Sequence, residues 1–180
     1  MTIAWAVVPA PEPIRQLTVA VTEAGVARVA FDDGADALAA TARRTGRRLV
    51  VDPAQTDEAA GQLADYLIGR RRVFELPLDW SLSTGSQRTV LETLYDEVGY
   101  GQTTTYGDLA LRSGAFDGAD GVLGARAVGS IMGANPIPVI VPCHRVLAAT
   151  GLGGFGGGLP VKRWLLELEG SLPPALDFAE

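Results

Sequence analysis

The sequence has very little of the side chains that carry most acid–base and metal chemistry, because its 180 residues include one cysteine and one histidine. A single cysteine cannot form an internal disulfide, and one cysteine with one histidine falls short of the four ligands that a structural zinc site normally needs. The cysteine is therefore either a small buried apolar residue or a reagent. We expect no metal site.

Long apolar runs and an excess of basic residues are also missing. Gly, Pro or charged residues interrupt every apolar run before it reaches the ~20 residues that a membrane span needs, and the first five residues lack the basic start of a signal peptide. We therefore expect a cytoplasmic protein with no membrane partner. The formal net charge of −6 argues against long-range attraction to nucleic acid.

The first half of the chain, residues 1–80, is typical of a small α+β unit. Residues 17–22 alternate between two faces, residues 26–31 resume an extended pattern after a turn, and together they predict a β-hairpin. A third strand is predicted over 48–51 and a helix over 57–68. No residue in this half indicates chemistry, and a domain boundary is predicted near residue 80.

The second half, residues 81–175, is predicted to be mainly helical. Apolar spacing, a Thr N-cap and glycines that follow the helices indicate helices over 87–98, 105–114, 125–134 and 160–170. The middle two have the outline of a helix-turn-helix, with a loop predicted over 114–124. The run 137–141 is apolar, but Pro138 limits it to an edge or irregular strand.

The lone cysteine and the lone histidine are neighbours, Cys143 and His144. A buried, inert cysteine is the ordinary interpretation, but a thiol next to an imidazole has a base at hand. Neighbours on an extended chain point in opposite directions, so a water molecule would have to bridge them. Glu169 lies at the edge of the buried stripe of the last helix and is the candidate to orient the imidazole.

Two further segments bear on binding, one on contact with a flat ligand and the other on contact with DNA. The glycine-rich run 151–158 lacks the Gly-Lys-Ser/Thr of a nucleotide-binding P-loop, and its glycines would let backbone approach a ligand against which Phe155 packs. The helix that begins near Arg126 carries small residues, among them Ala127, with almost no base-reading side chains. Such a helix fits close approach to DNA without sequence readout.

The segment NPIPVIVPCHRV, residues 135–146, closely resembles the active-site signature of the O6-alkylguanine-DNA alkyltransferases, the methylated-DNA–protein-cysteine methyltransferases. Further matches follow in the same order, and they are TYG at 105–107, ARAVG at 125–129, GFGGGL at 154–159 and KRWLLELEG at 162–170. The resemblance covers roughly residues 83–170. It implies an α+β protein with a small RNase H-like sheet domain before a mainly helical, winged-helix or helix-turn-helix domain.

The resemblance implies direct-reversal DNA repair by a monomer without a cofactor. Cys143 would accept the alkyl group of O6-alkylguanine in one irreversible turnover, with the base flipped out of double-stranded DNA to reach it. Whether O4-alkylthymine is also a substrate stays open. The implied roles are Cys143, His144 and Glu169 as the thiolate relay, Asn135 as a hinge and Tyr106 as donor to the flipped base. The implied DNA contacts are Arg126, which fills the vacated stack, Ala127, Tyr106 and Gly107, and the implied pocket residues are Val146, Phe155, Gly156 and Lys162.

The sequence departs from the family pattern in three places. The loop 114–124 is longer than usual and carries Asp117 and Asp120, the segment 84–87 lacks the usual Pro and Phe, and Leu168 stands where a histidine is common.

Three rival functions remain open. They are a non-repairing sensor of alkyl lesions, a Cys-His hydrolase of small acyl substrates, and a plain helix-turn-helix regulator.

Overall fold

The structure is a computed structural model that describes residues 1–31, 34–118 and 121–174. Its first half contains one four-stranded sheet in the order β3-β2-β1-β4 and two helices. The elements are β1 (Thr2–Pro9), β2 (Gln16–Thr22), β3 (Gly25–Phe31), α1 (Ala35–Thr45), β4 (Arg48–Val50) and α2 (Pro53–Leu67). β1 and β3 are antiparallel to β2, and β4 runs parallel to β1.

The predicted hairpin is confirmed as β2 and β3, and the predicted strand over 48–51 is confirmed as β4. The helix predicted over 57–68 begins earlier, because the Asp52 carboxylate accepts from the backbone N–H of Ala54 and Pro53 occupies the first helical turn. β1 and α1 were not predicted. α2 packs on β1 and β2, whereas α1 contacts β3 and β4.

The second half is mainly helical, which confirms the predicted α+β class. Its elements are α3 (Gly85–Glu97), β5 (Thr104–Thr105), α4 (Tyr106–Ser113), α5 (Gly121–Gly133), β6 (Val146–Leu147) and α6 (Leu159–Leu168). β5 and β6 form a short parallel pair, and single 3-10 turns cover Trp80–Leu82 and Cys143–Arg145. No helix within the described ranges is long and apolar enough to cross a membrane.

The helix-turn-helix outline is confirmed as α4 and α5, which pack on each other and on α3. Thr105 caps α4, since its hydroxyl accepts from the backbone N–H of Asp108 at 3.1 Å, and Gly114 ends the helix in a left-handed conformation. The predicted loop was too long, because α5 begins at Gly121. Gly124 is buried where a Cβ would lie 3.3 Å from the Ala110 side chain, so it serves close helix packing and not a turn. Asp120 lies outside the described residues.

The predicted irregular strand over 137–141 is wrong, because this segment forms turns and one isolated bridge. The Asn135 side chain holds the turns together. Its Nδ2 donates to the Val141 carbonyl at 2.9 Å, and its Oδ1 accepts from the Ile137 N–H at 3.0 Å. Val139 is fully buried at a φ of 73°, which is a strained conformation for a β-branched residue.

The described residues of both halves contribute to one continuous buried cluster. It includes Val19 of the sheet, Leu63 and Tyr66 of α2, Leu91 of α3 and Leu165 of α6. A smaller cluster of Ile3, Ala20 and Leu38 packs under α1. The sheet half and the helical half of the chain therefore share a core, and the turn that holds Cys143 lies against it. The boundary near residue 80 stays a prediction.

Candidate active site

Cys143 begins the 3-10 turn Cys143–Arg145, so the sequence-based assumption of extended backbone at this point was wrong. Only 5% of the residue is exposed. Burial raises the pKa of the Cys143 thiol to about 11, although a hydrogen bond with the Asn135 side chain and the charge of Lys162 act in the opposite direction. At neutral pH the thiol is therefore protonated, and its reaction as a nucleophile requires a base.

His144 is fully buried and is bound to the carboxylate of Glu169, with His144 Nε2 2.9 Å from Glu169 Oε1. Burial lowers the pKa of His144, and Glu169 opposes that effect. A carboxylate accepts hydrogen bonds, so Nε2 carries the proton and Nδ1 keeps its lone pair. Nδ1 has no hydrogen-bond partner among the described protein groups, so the pair leaves an acceptor nitrogen available for a proton.

Glu169 immediately follows α6 and accepts hydrogen bonds from several parts of the chain. Arg145 donates Nε to Oε2 at 2.9 Å and Nη2 to Oε1 at 2.8 Å, and the backbone N–H of Gly101 donates to Oε2 at 3.3 Å. The Tyr66 hydroxyl donates to Oε1. Burial alone would raise the pKa of Glu169, but the bonds from His144 and Arg145 outweigh it and lower the pKa to about 2.

The structure thus brings together three of the predicted residues, Cys143, His144 and Glu169, and adds two that sequence reasoning missed. Arg145 was visible in the motif, and an arginine beside the reactive pair could have been read as a partner for the acidic residue. Tyr66 lies 103 residues before Glu169, and no local pattern indicates it.

A cavity of about 640 Å³ opens beside this site. Its lining consists of Tyr106, Gly121, Val122, Ala125, Arg126, Gly129, Met132, Gly133, Gly154 and Phe155. Phe155 links the cavity to the site, because its ring centroid lies 6.5 Å from that of His144. Burial, and after it the neighbouring Cys143, raise the pKa of the Tyr106 hydroxyl. Within the described residues, Ala127, Val146, Gly156 and Lys162 do not line this cavity, and Gly107 borders a smaller neighbouring one of about 290 Å³.

Lys162 is fully buried behind the cavity and not in it. Its Nζ donates to the carbonyls of Val146 at 2.7 Å and Gly154 at 3.1 Å, and it lies 5.9 Å from the centre of the Tyr106 ring. Burial lowers the pKa of Lys162 to about 8, so at neutral pH the group remains mostly a cation. Lys162 therefore holds the glycine-rich run 151–158, called the glycine loop below, next to Tyr106 in the cavity wall. It also places a positive charge near Cys143.

The glycine loop approaches Tyr106 and the first half of the chain closely. A Cβ on Gly153, whose φ is 72°, would lie 2.7 Å from the Tyr106 hydroxyl oxygen. Phe155 packs edge-on against Phe31 of β3, with ring centroids 5.5 Å apart. The loop is thus fitted between α4 and the sheet, and this fit sets one wall of the cavity.

Arg126 is exposed near the middle of α5 and borders the cavity. Among the residues that the structure describes, no carboxylate forms an ion pair with its guanidinium. Gly129 and Gly133 follow along the same wall, so the helix presents one cation and a smooth backbone. The fold and the site together define an α+β protein in which a buried cluster of Cys143, His144 and Glu169 lies beside a helix-turn-helix.

Comparisons with known proteins agree with this class. A family model described as the 6-O-methylguanine DNA methyltransferase, DNA binding domain, matches residues 85–171. The methylated-DNA–protein-cysteine methyltransferase of Mycobacterium bovis is 46% identical over 125 residues, which cover 69% of this chain and 71% of that protein. The inducible methylated-DNA–protein-cysteine methyltransferase of Bacillus subtilis is 38% identical over 128 residues, covering 71% of this chain and 67% of that protein.

Solved structures match over almost the whole chain. The crystal structure of Mycobacterium tuberculosis OGT in complex with DNA has a TM-score of 0.75 and 37% identity, covering 96% of each chain. The O6-methylguanine-DNA methyltransferase of the archaeon Pyrococcus kodakaraensis has a TM-score of 0.64 and 27% identity, covering 94% of this chain and 99% of that one. The chain belongs to the methylated-DNA–protein-cysteine methyltransferase family, as its sequence motifs predicted.

Proposed function

We propose that this protein repairs DNA by direct reversal, moving the alkyl group of O6-alkylguanine onto Cys143. The observation that carries the proposal is the buried His144–Glu169 pair, which leaves the acceptor nitrogen of the imidazole without a partner in the residue that directly follows the protonated Cys143. Membership of a family whose curated relatives are methylated-DNA–protein-cysteine methyltransferases supports it.

The proposed reaction is a displacement at the alkyl carbon. The Cys143 proton moves through a water molecule to His144 Nδ1, Sγ forms a bond to carbon, and the bond between carbon and O6 breaks. Tyr106 donates its hydroxyl proton to the departing guanine, and the proton that His144 took from Cys143 then returns through solvent to the Tyr106 oxygen, so both side chains end neutral. The products are a thioether and an unmodified guanine. Because no group in the site can cleave a thioether, one chain repairs one lesion.

The proposed binding mode places the flipped base in the cavity beside Tyr106. Its volume of about 640 Å³ lies within the ~300–1,000 Å³ that is usual for ligand pockets. Arg126, at the rim, would enter the duplex and occupy the space left by the base. Phe155 offers a ring against which a purine can pack. Asn135, which fixes the turns before Cys143, is the proposed hinge between α5 and the reactive turn.

The site also bears on assembly and compartment. All the residues of the proposed mechanism come from one chain, so we propose that the protein acts as a monomer, which light scattering of the free and DNA-bound protein tests. A lone reactive thiol stays reduced in the cytoplasm, and we propose that compartment.

The rival function of a Cys-His hydrolase is not supported. That class of enzyme needs a hydrogen bond between the thiol and the imidazole, and none joins the Cys143 thiol to His144 Nδ1.

Stoichiometry and substrate form test the proposal. With excess duplex that contains O6-methylguanine, the amount of restored guanine should stop at one per chain, and Cys143→Ser should restore none.

Arg126→Ala should slow transfer from duplex DNA and leave transfer from the free base O6-alkylguanine unchanged, because only the duplex has a gap in its base stack for Arg126 to fill. Arg43→Ala, which removes an exposed arginine of α1, is the matched control. Sustained turnover, or equal slowing on both substrates, would contradict the proposal.

A further inference from the structure

Tyr66 connects the first half of the chain to the proposed relay. It lies on α2, it is fully buried, and its hydroxyl donates to Glu169 Oε1. The same hydroxyl oxygen is 3.4 Å from His144 Nε2. Within the described part of the chain this hydroxyl has no other hydrogen-bond partner, so its polar contacts are all with the His144–Glu169 pair.

We propose that Tyr66 is a positioning residue for alkyl transfer, acting through Glu169 to set how strongly His144 holds a proton. The inference rests on the proposed function and extends it into the first half of the chain. Three donors share the single oxygen Glu169 Oε1, namely His144, Arg145 and Tyr66. Each donor withdraws charge from that oxygen, so the hydroxyl weakens the pull of the carboxylate on the imidazole proton.

Packing alone does not explain a tyrosine at this position. The ring packs against Phe74 with centroids 5.0 Å apart and against Tyr100 at 6.1 Å, contacts that a phenylalanine would also make. A buried hydroxyl has to be hydrogen-bonded to offset its desolvation. Burial and the neighbouring Glu169 raise the pKa of Tyr66 well above its usual value, so the hydroxyl is a neutral donor at neutral pH.

The surrounding charges stay in place when the hydroxyl is removed. Arg145 holds the carboxylate through two bonds, and Gly101 donates from its backbone. The charge of Lys162 on α6 also acts to lower the pKa of His144, and Arg72 lies over the Tyr100 ring, 5.5 Å from its centre. A Tyr66→Phe change therefore leaves the carboxylate fixed and alters only the charge that it presents to His144.

The protonation of His144 can be followed directly, since it is the only histidine of the chain and its ring signals in an NMR titration need no assignment. In Tyr66→Phe the carboxylate attracts the imidazole proton more strongly, so His144 should become protonated at a higher pH than in the parent. The imidazole of His144 is then already protonated at mildly acidic pH and cannot accept the proton of the thiol. The single-turnover rate of methyl transfer at about pH 6 should fall about tenfold, while the rate at alkaline pH is retained.

Tyr100→Phe is the matched control, because it removes a hydroxyl from the same aromatic cluster that donates to the Leu168 carbonyl and not to Glu169. It should leave the His144 titration and the pH profile of transfer unchanged. The inference is overturned if Tyr66→Phe gives the same titration as the parent, or if it lowers the rate equally at every pH together with the melting temperature. Absence of methyl transfer by the parent itself would instead refute the proposed function, and the titration, which needs no DNA, would still test the coupling.

Discussion

At the scale of single residues, burial and hydrogen bonds set the resting protonation states of Cys143, His144 and Glu169. The family resemblance implied a thiolate relay at Cys143, but in the resting protein burial keeps this thiol protonated, with a pKa of about 11. His144 is neutral and Glu169 is ionised, so the proposed base can accept a proton in the resting protein. A protein that is consumed in one transfer, as we propose, gains from this arrangement, because a buried neutral thiol reacts only slowly with other electrophiles and oxidants.

The thiol of the folded protein should therefore react slowly with iodoacetamide at neutral pH. Its rate should rise about tenfold for each pH unit up to about pH 11, since the thiolate fraction grows in that proportion below the pKa. Intact mass measures the reaction without ambiguity because Cys143 is the only cysteine. A rate that levels off below pH 9 would show that the resting group is already a thiolate.

Glu169→Gln should both slow methyl transfer and destabilise the fold. The change leaves the buried Arg145 without a carboxylate, which we expect to lower the free energy of unfolding by about 3–5 kcal/mol. Urea unfolding measures the loss, and Glu167→Gln, two positions away with an exposed Arg163 as its partner, is the matched control. Equal stability of the two variants would contradict the account of the network.

The parent should lose stability on acidification for the same reason. The pKa of Glu169 is lowered to about 2 from an ordinary 4.5, so its contribution is complete above pH 4.5 and is lost as the pH falls towards 2. His144 acts in the same direction, because its pKa is lowered from 6.5 and the folded state disfavours the imidazolium form. In urea unfolding below pH 4.5, the gap between the parent and Glu169→Gln should therefore narrow.

At the scale of secondary-structure elements, features set by residues within one turn were predictable from the sequence, and features set by distant contacts were missed. Thr105 and Gly114 mark the ends of α4 in the sequence because caps act within one turn. β1 was missed because a central strand between β2 and β4 lacks a clean alternation of apolar and polar residues. The run 137–141 has strand-like residues, but the Asn135 side chain imposes turns on it.

The glycine loop gives a prediction at this scale. Gly153→Ala would place a Cβ 2.7 Å from the Tyr106 hydroxyl in a left-handed conformation, so the loop and the cavity wall must shift. We expect a loss of methyl transfer from duplex DNA, measured as the single-turnover rate. Gly61→Ala is the control, because it meets open space on the exposed face of α2 and should stabilise the protein by about 0.5–1 kcal/mol with an unchanged rate. Equal rates for both variants would refute this view of the loop.

At the scale of the whole molecule, the two halves are joined by their core and by the site. Sequence reasoning assigned no chemistry to residues 1–80, yet Tyr66 contacts the proposed relay and Phe31 contacts the glycine loop. Both contacts join residues that are more than one hundred positions apart, and such pairs leave no periodic trace in the sequence. The family motif was predictable because it lies within one short segment, whereas the contacts of Tyr66 and Phe31 come from the other half of the chain.

A shared core predicts that both halves unfold together. The tryptophans report on each half, since Trp5 lies in β1 and Trp164 in α6. Two single-tryptophan variants, in which the other two tryptophans are replaced by Phe, should show the same urea midpoint and the same slope by fluorescence. Separate midpoints would indicate two independent domains divided near residue 80.

Mass spectrometry of the protein after repair is the most direct test of the central claim. The parent, incubated with excess duplex containing O6-methylguanine, should gain the mass of one methyl group in place of one hydrogen, and fragmentation should locate it on Cys143. Cys143→Ser should gain nothing. A methyl group on any other residue, or a restored guanine with an unmodified protein, would contradict the claim that this sulfur is the acceptor.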